Sequence, residues 1–209
     1  GIYIFSYKKL KHYLIEDDHT EGSSNDFGKN IIPTMLRNGE RMYAYPFKGY
    51  WKDVGTINSL WEANMDLLGN PPKFNLHDND WRIFSRSESD PGQYVGDGSE
   101  ISDAFITEGC EIYGTVEHSV LGDGVYVAPG AVVRDSVIME NTTIGENAVV
   151  EYSIVAANTD VGRGSHIGDR HEKGAKITVV GSELRLPEGT RIAGGEMVNE
   201  KKLRELING

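Results

Sequence analysis

The second half of this 209-residue chain predicts a left-handed parallel β-helix, a solenoid of short stacked coils. Apolar β-formers recur in steps of six, broken by steps of five: Ile106 and Ile112, Val127 and Val133, Ile138, Ile144 and Val150, then Val155, Val161 and Ile167. Longer phrases repeat with them. Ser119-Val120-Leu121, Ser136-Val137-Ile138 and Ser153-Ile154-Val155 lie 17 residues apart. Gly122, Gly130, Gly145, Gly162 and Gly168 fall between the apolar positions, where a chain must turn. Three strands and three corners per coil account for a period of about 18, and only stacking several coils buries the single inward side chain of each hexamer.

The first 70 residues follow other rules. Gly1-Ile2-Tyr3-Ile4-Phe5 alternates and is apolar, so it predicts a strand whose neighbours are expected upstream of the chain's first residue. Lys8 to Glu16 carries Leu10, Tyr13 and Leu14 at helical spacing. A polar loop from Asp17 to Ser24 follows. Asn25 or Asp26 is placed to cap a second helix with Phe27, Ile31 and Ile32 on its apolar face, kinked or weakened at Pro33. Met42 to Phe47 predicts a second strand, at an edge because of Pro46. Thr56 caps a third helix that gathers Ile57, Leu60, Asn64, Leu67 and Leu68 on one side.

Residues 71–94 read as a linker rich in Asn, Asp, Pro and Ser, with Trp81 and Phe84 expected to pin it to a neighbouring surface. Ala104-Phe105-Ile106 fits a shorter first coil. The solenoid, 95–209, is interrupted by a charged excursion at Asp169-Arg170-His171-Glu172-Lys173 and resumes as a strand at Ile177 to Val180. Leu184, Leu186 and Ile192 predict a last, irregular coil. Glu200 to Ile207 predicts a closing helix whose Leu203 and Leu206 cover the open end.

Composition narrows the function. Hydrophobic residues are 38% and charged residues 25%, as in folded domains. A net charge of −11 argues against nucleic acid as a partner, because phosphate backbones are bound through clustered Lys and Arg. A lone cysteine, Cys110, makes no internal disulfide, and no apolar run approaches the ~18 residues of a membrane span, so the cytoplasm is expected.

Chemistry is concentrated in the first 70 residues. In an extended Tyr50-Trp51-Lys52-Asp53, Trp51 and Asp53 share a side. A carboxylate between glycines and before a helix suits Mg²⁺, which takes oxygen ligands and binds substrate phosphates. The alternative is that Trp51 packs a core and Asp53 closes a turn, just as helix capping suffices for Asp26. His118, His166 and His171 are expected as surface residues, although trimeric acyltransferases with such solenoids use an imidazole base.

The landmarks resemble those of the glucose-1-phosphate adenylyltransferase (ADP-glucose pyrophosphorylase) family. They are Gly1-Ile2-Tyr3-Ile4-Phe5, Ser24-Asn25-Asp26-Phe27-Gly28-Lys29 with Ile32-Pro33, Tyr50-Trp51-Lys52-Asp53-Val54-Gly55-Thr56 and Trp61-Glu62-Ala63-Asn64-Met65-Asp66-Leu67. The Tyr-Trp-Lys-Asp-Val-Gly-Thr phrase is the most specific, and the likeness thins after about residue 175.

The resemblance implies that residues 1–70 are the C-terminal part of an α/β nucleotidyltransferase domain and that the parent enzyme transfers AMP from ATP to glucose 1-phosphate. It implies a sugar-phosphate pocket lined by Tyr3, Asp26, Phe27 and Trp51, and a catalytic Asp53 that holds Mg²⁺ with a second aspartate. It also implies a homo- or hetero-tetramer regulated by a phosphorylated metabolite or AMP. The family's Gly-rich triphosphate loop, second metal aspartate and Glu-Lys-Pro lysine do not occur in these 209 residues. The chain alone is therefore expected to be inactive. A noncatalytic regulatory subunit, or a transferase for another sugar phosphate, is the alternative.

Overall fold

A computed structural model describes residues 1–84 and 89–208. The chain divides into two compact units, Gly1–Gly49 and Tyr50–Gly209.

In the first unit α1 spans Tyr7–Asp18. The second predicted helix is a π-helical turn, Phe27–Ile31, running into α2, Ile32–Arg37. Asp26 supplies the cap, its carboxylate accepting the Lys29 N–H at 2.7 Å. Pro33 sits where the π-helical turn gives way to α2, inside one continuous helical run from Phe27 to Arg37. It marks the weakened middle of that run, as expected of a residue with no N–H to donate. Tyr13, Ile31 and Met35 form the core, with Phe5 and Met42 packed against it.

The two strands predicted in this unit do not form. Residues 1–6 and 41–48 have no regular structure. Each sends one apolar residue, Phe5 or Met42, into the small core, while Ile2, Ile4, Tyr43 and Tyr45 stay exposed. Alternation makes a strand only where a partner chain takes its backbone bonds.

The second unit opens with the 50–56 segment and α3, Ile57–Met65, which Thr56 caps by accepting the Ser59 N–H at 3.1 Å. Leu67 and Leu68 lie beyond the helix end in a turn, so the helical side predicted through them stops short. In the following connector Trp81 and Phe84 are 82% and 88% exposed, which overturns their predicted anchoring role. Phe74 packs instead, its ring stacked on Tyr50 at 4.7 Å. Residues 85–88 of the predicted linker lie outside the described residues.

The solenoid follows as sixteen short strands. They are β1 (Tyr94–Val95), β2 (Glu100–Ile106), β3 (Glu111–Ile112), β4 (Thr115–Leu121), β5 (Tyr126–Val127), β6 (Val132–Arg134), β7 (Val137–Ile138) and β8 (Thr143–Ile144). The rest are β9 (Val149–Glu151), β10 (Ser153–Val155), β11 (Asp160–Val161), β12 (His166–Ile167), β13 (Thr178–Val180), β14 (Arg185–Leu186), β15 (Arg191–Ile192) and β16 (Met197–Val198). All pair in parallel, in about six turns. One face is the six-stranded sheet β1-β3-β5-β8-β11-β14. The other two faces join through β4, whose first half pairs with β6 and whose second half pairs with β7.

Register reproduces the sequence period. Val132 pairs with Val149 and Val149 with His166, whereas Ala104 pairs with Ser119, the shorter first coil. His166 pairs with Arg191 because the 169–175 excursion is looped out. The coil after it is regular, not irregular as predicted: Leu184, Leu186 and Ile192 all point into the core.

Every apolar position of the repeat from Ile112 to Ile167 is buried, and Ile106 packs against the same core. The serines explain the phrase repeat. Ser119 Oγ accepts the Ser136 N–H and Ser136 Oγ accepts the Ser153 N–H, each at 3.1 Å, so the hydroxyls satisfy corner amides that no strand can reach. The residue before each, His118, Asp135 or Tyr152, has a φ of 42–46°. The closing helix α4, Glu200–Asn208, buries Leu203, while Leu206 is 40% exposed.

Candidate functional site

In the first unit, Tyr3, Phe5 and Phe27 make an aromatic group. Tyr3 and Phe27 stack at 5.8 Å with planes 16° apart, and Phe5 tilts against both at 5.8 and 5.9 Å. The π-helical turn presents Phe27, and the Asp26 cap fixes where that turn begins. Asn30 Oδ1 accepts the Asp26 N–H at 3.2 Å and the Ser24 hydroxyl at 2.7 Å, which ties the capping loop to the turn. Tyr3 and Phe27 are thus together and partly exposed, with Asp26 engaged in capping.

In the second unit, Trp51 is 59% exposed and Asp53 is exposed, so Trp51 does not pack a core. Asp53 does close a turn, its Oδ1 accepting the Gly55 N–H at 3.1 Å. No group of three or more His, Cys, Asp or Glu side chains is set to hold a metal ion among the described residues. Asp53 can offer one exposed carboxylate. That suits Mg²⁺ held mainly by phosphates and water, which commonly takes only one or two protein carboxylates.

Sequence reasoning assigned no role to Asp66, yet it is the electrostatic centre of this segment. It sits at the C-cap of α3 and is buried. Its carboxylate accepts Lys73 Nζ at 2.8 Å and the Tyr50 hydroxyl at 3.0 Å, with Lys52 Nζ 3.6 Å away. Lys52 lies closer to Glu62, at 2.7 Å. Burial pushes the Asp66 acid up, but the bonds from Lys73 and Tyr50 and the charge of Lys52 outweigh it, and the group ends below its ordinary value. Burial and the bond to Asp66 push the Tyr50 phenol up, and the bond to Glu62 raises Lys52. The available signal was a carboxylate following the apolar Leu60, Trp61 and Met65 of α3.

Helix α3 is itself fixed to the solenoid. Trp61 is buried among Val137, Tyr152, Ile154 and Ile177, and meets Tyr152 edge-on at 5.0 Å. The looped-out excursion adds His171, stacked on Tyr152 at 4.1 Å.

The solenoid histidines all have local partners. His118 Nδ1 lies 2.7 Å from Asp135 Oδ1, and His166 Nε2 is 3.9 Å from Glu151. Arg134 bridges Glu117 and Glu151, one charge per coil, at 2.9 and 3.2 Å. Cys110 is fully buried with its thiol pushed up by that burial, so it is not a nucleophile.

Residues 1–70, a range that includes Tyr3, Asp26, Phe27, Trp51 and Asp53, match the family model "Nucleotidyl transferase", and residues 92–186 match "GlmU-like, C-terminal hexapeptide". Among curated proteins, the glucose-1-phosphate adenylyltransferase of Clostridium botulinum (strain Eklund 17B / Type B) is 57% identical over 136 residues, 65% of this chain and 35% of that protein. That of Clostridium perfringens (strain 13 / Type A) is 54% identical over 183 residues, 88% of this chain and 46% of that protein. That of Desulforamulus reducens is 49% identical over 196 residues, 92% of this chain and 49% of that protein. The chain spans about half, or less, of the length of these relatives. An alignment over 92% of the chain necessarily runs through Trp51, Asp53 and Asp66.

Proposed function

We propose that the whole protein is a glucose-1-phosphate adenylyltransferase, like the relatives that the chain matches over part of their length, and that it transfers the adenylyl group of ATP to glucose 1-phosphate, releasing pyrophosphate. The observation that carries this reading is the 49–57% identity to enzymes of that name. The sugar phosphate and the nucleotide repel each other, and a transferase must offset that charge while holding the reacting groups in line. Mg²⁺, when bound with the nucleotide, supplies charge neutralisation.

The chain's own residues have the following parts. Asp53 gives one oxygen ligand to the ion, from a turn that fixes its carboxylate. Trp51 offers an open aromatic face beside it. In the first unit, the stacked Tyr3 and Phe27 offer an apolar surface of the kind that sugar rings lie against, with Asp26 as a polar group at its border. The solenoid carries assembly into a tetramer through its regular outer faces, and control by a phosphorylated metabolite or AMP. A single buried thiol with no disulfide suits a reducing cytoplasm, and no helix among the described residues is long and apolar enough to cross a membrane.

Asp53→Asn separates the two roles of that residue, because an amide still closes the turn but carries no charge. In the full-length protein, pyrophosphate release from ATP plus glucose 1-phosphate is expected to fall by at least about a hundredfold, the scale of losing a group that offsets charge in the transition state. Full activity in Asp53→Asn sinks the role of Asp53, and absence of pyrophosphate release in the unsubstituted protein sinks the transferase reading.

A further inference from the structure

A carboxylate is rarely taken out of water unless its partners make the burial worthwhile. Asp66 is only 6% exposed, and of its three side-chain partners among the described residues two are Tyr50 and Lys52. They flank Trp51, and Lys52 immediately precedes Asp53. The third, Lys73, comes from the connector after α3. The Asp66 backbone carbonyl accepts the Phe74 N–H at 3.0 Å, which brings the Phe74 ring onto Tyr50. Tyr50 is therefore held at both its hydroxyl and its ring.

The hydroxyl of Tyr50 and the ammonium of Lys52 are drawn toward α3, while Trp51 between them and Asp53 after them are exposed. We propose that Asp66 is the positioning residue of this segment: by holding Tyr50 and Lys52 against α3 it sets the direction in which Trp51 and Asp53 point. The functional weight of this role rests on the reading of Trp51 and Asp53 as site residues. Glu62, which shares Lys52, supports the same arrangement from the preceding turn of the helix.

The experiment uses the full-length protein with Asp66→Asn, Asp66→Glu and Tyr50→Phe. Hydrogen exchange of peptides covering 50–56 is read together with steady-state pyrophosphate release. Asp66→Asn is expected to speed exchange in 50–56 about tenfold, the loss of a charge-assisted bond, and to leave strands β5 to β10 unchanged. It is also expected to lower kcat by about tenfold with KM for ATP within about twofold, since orientation is lost rather than nucleotide affinity. Asp66→Glu, which keeps the charge, is expected to restore part of both. Unchanged exchange in 50–56, or faster exchange spread evenly over the solenoid, overturns the proposal. If Asp66→Asn does not fold, Tyr50→Phe removes one hydroxyl and carries the same local readout at smaller amplitude. Local loosening in a protein whose activity is indifferent to Asp53→Asn upholds the anchor and removes the site reading. An essential Asp53 with no local loosening does the reverse.

Discussion

The indole N–H of Trp61 donates to the backbone carbonyl of Asp135, 2.7 Å away, and so fastens α3 to a corner of the solenoid 74 residues further along the chain. Asp135 adopts a φ of 46° there. Its carboxylate bonds to His118 while its carbonyl serves Trp61, so a single corner residue joins two coils and a helix. The segment bearing Trp51 and Asp53 is thereby tied to the β-helix through one short helix and its C-cap.

Trp61→Phe keeps most of the apolar burial and removes the donor. It is expected to cost about 1–2 kcal/mol, and Trp61→Ala about 3–5 kcal/mol, with the larger change creating a cavity beside Tyr152. Urea unfolding followed by far-ultraviolet circular dichroism measures both. Equal costs for the two would mean that packing contributes nothing at this contact.

The serine ladder carries its own prediction. Ser136→Ala removes the acceptor of the Ser153 N–H and the donor to the Arg134 carbonyl in a fully buried corner. About 1–3 kcal/mol of destabilisation is expected, the scale of a buried polar group left unpaired. Ile138→Ala, two residues beyond that corner, is expected to cost about 2–5 kcal/mol by leaving a void in the stack. Denaturant midpoints compare the two directly.

Gly168 has a φ of +78°, and a Cβ there would lie 2.0 Å from the Glu151 carbonyl oxygen of the coil below. Gly168→Ala combines a strained conformation with a backbone clash, so about 2 kcal/mol or more of destabilisation is expected. Gly164→Ala shares the positive φ but meets nothing within 4 Å, and is expected to cost about 1 kcal/mol. The difference between their melting temperatures isolates the clash.

Acid should loosen the segment around Asp66. A carboxyl whose folded value lies below its unfolded value contributes stability that is complete above the unfolded value, near ~3.9, and is lost as pH falls through the folded one. The groups facing it among the described residues are Lys73, Tyr50 and Lys52, and both lysines stay charged throughout that range. Hydrogen exchange in 50–56 is therefore expected to accelerate below about pH 4 in the unsubstituted protein. In Asp66→Asn that acceleration is expected to be smaller. Identical pH profiles would remove Asp66 as the titrating group.

The solenoid and its register could be read from the chain because each hexamer repeats one instruction: an apolar residue inward, small or polar residues at the corner. Ile138 and Ile144 need only equivalent neighbours above and below, and the repeat guarantees them. The Asp26 and Thr56 caps were readable for a similar reason, since a cap acts on an amide three residues away. Gly1 to Phe5 and Met42 to Phe47 carry strand-like alternation that gained no ladder, because hydrogen-bond partners are not a local property. Trp81 and Phe84 looked like anchors by composition and lie in the open, while Phe74 found Tyr50. Asp66 was hidden for the deepest reason. Its importance lies in which distant groups, Lys73, Tyr50 and Lys52, converge on one buried carboxylate, and convergence in space leaves no period or spacing in the order of residues.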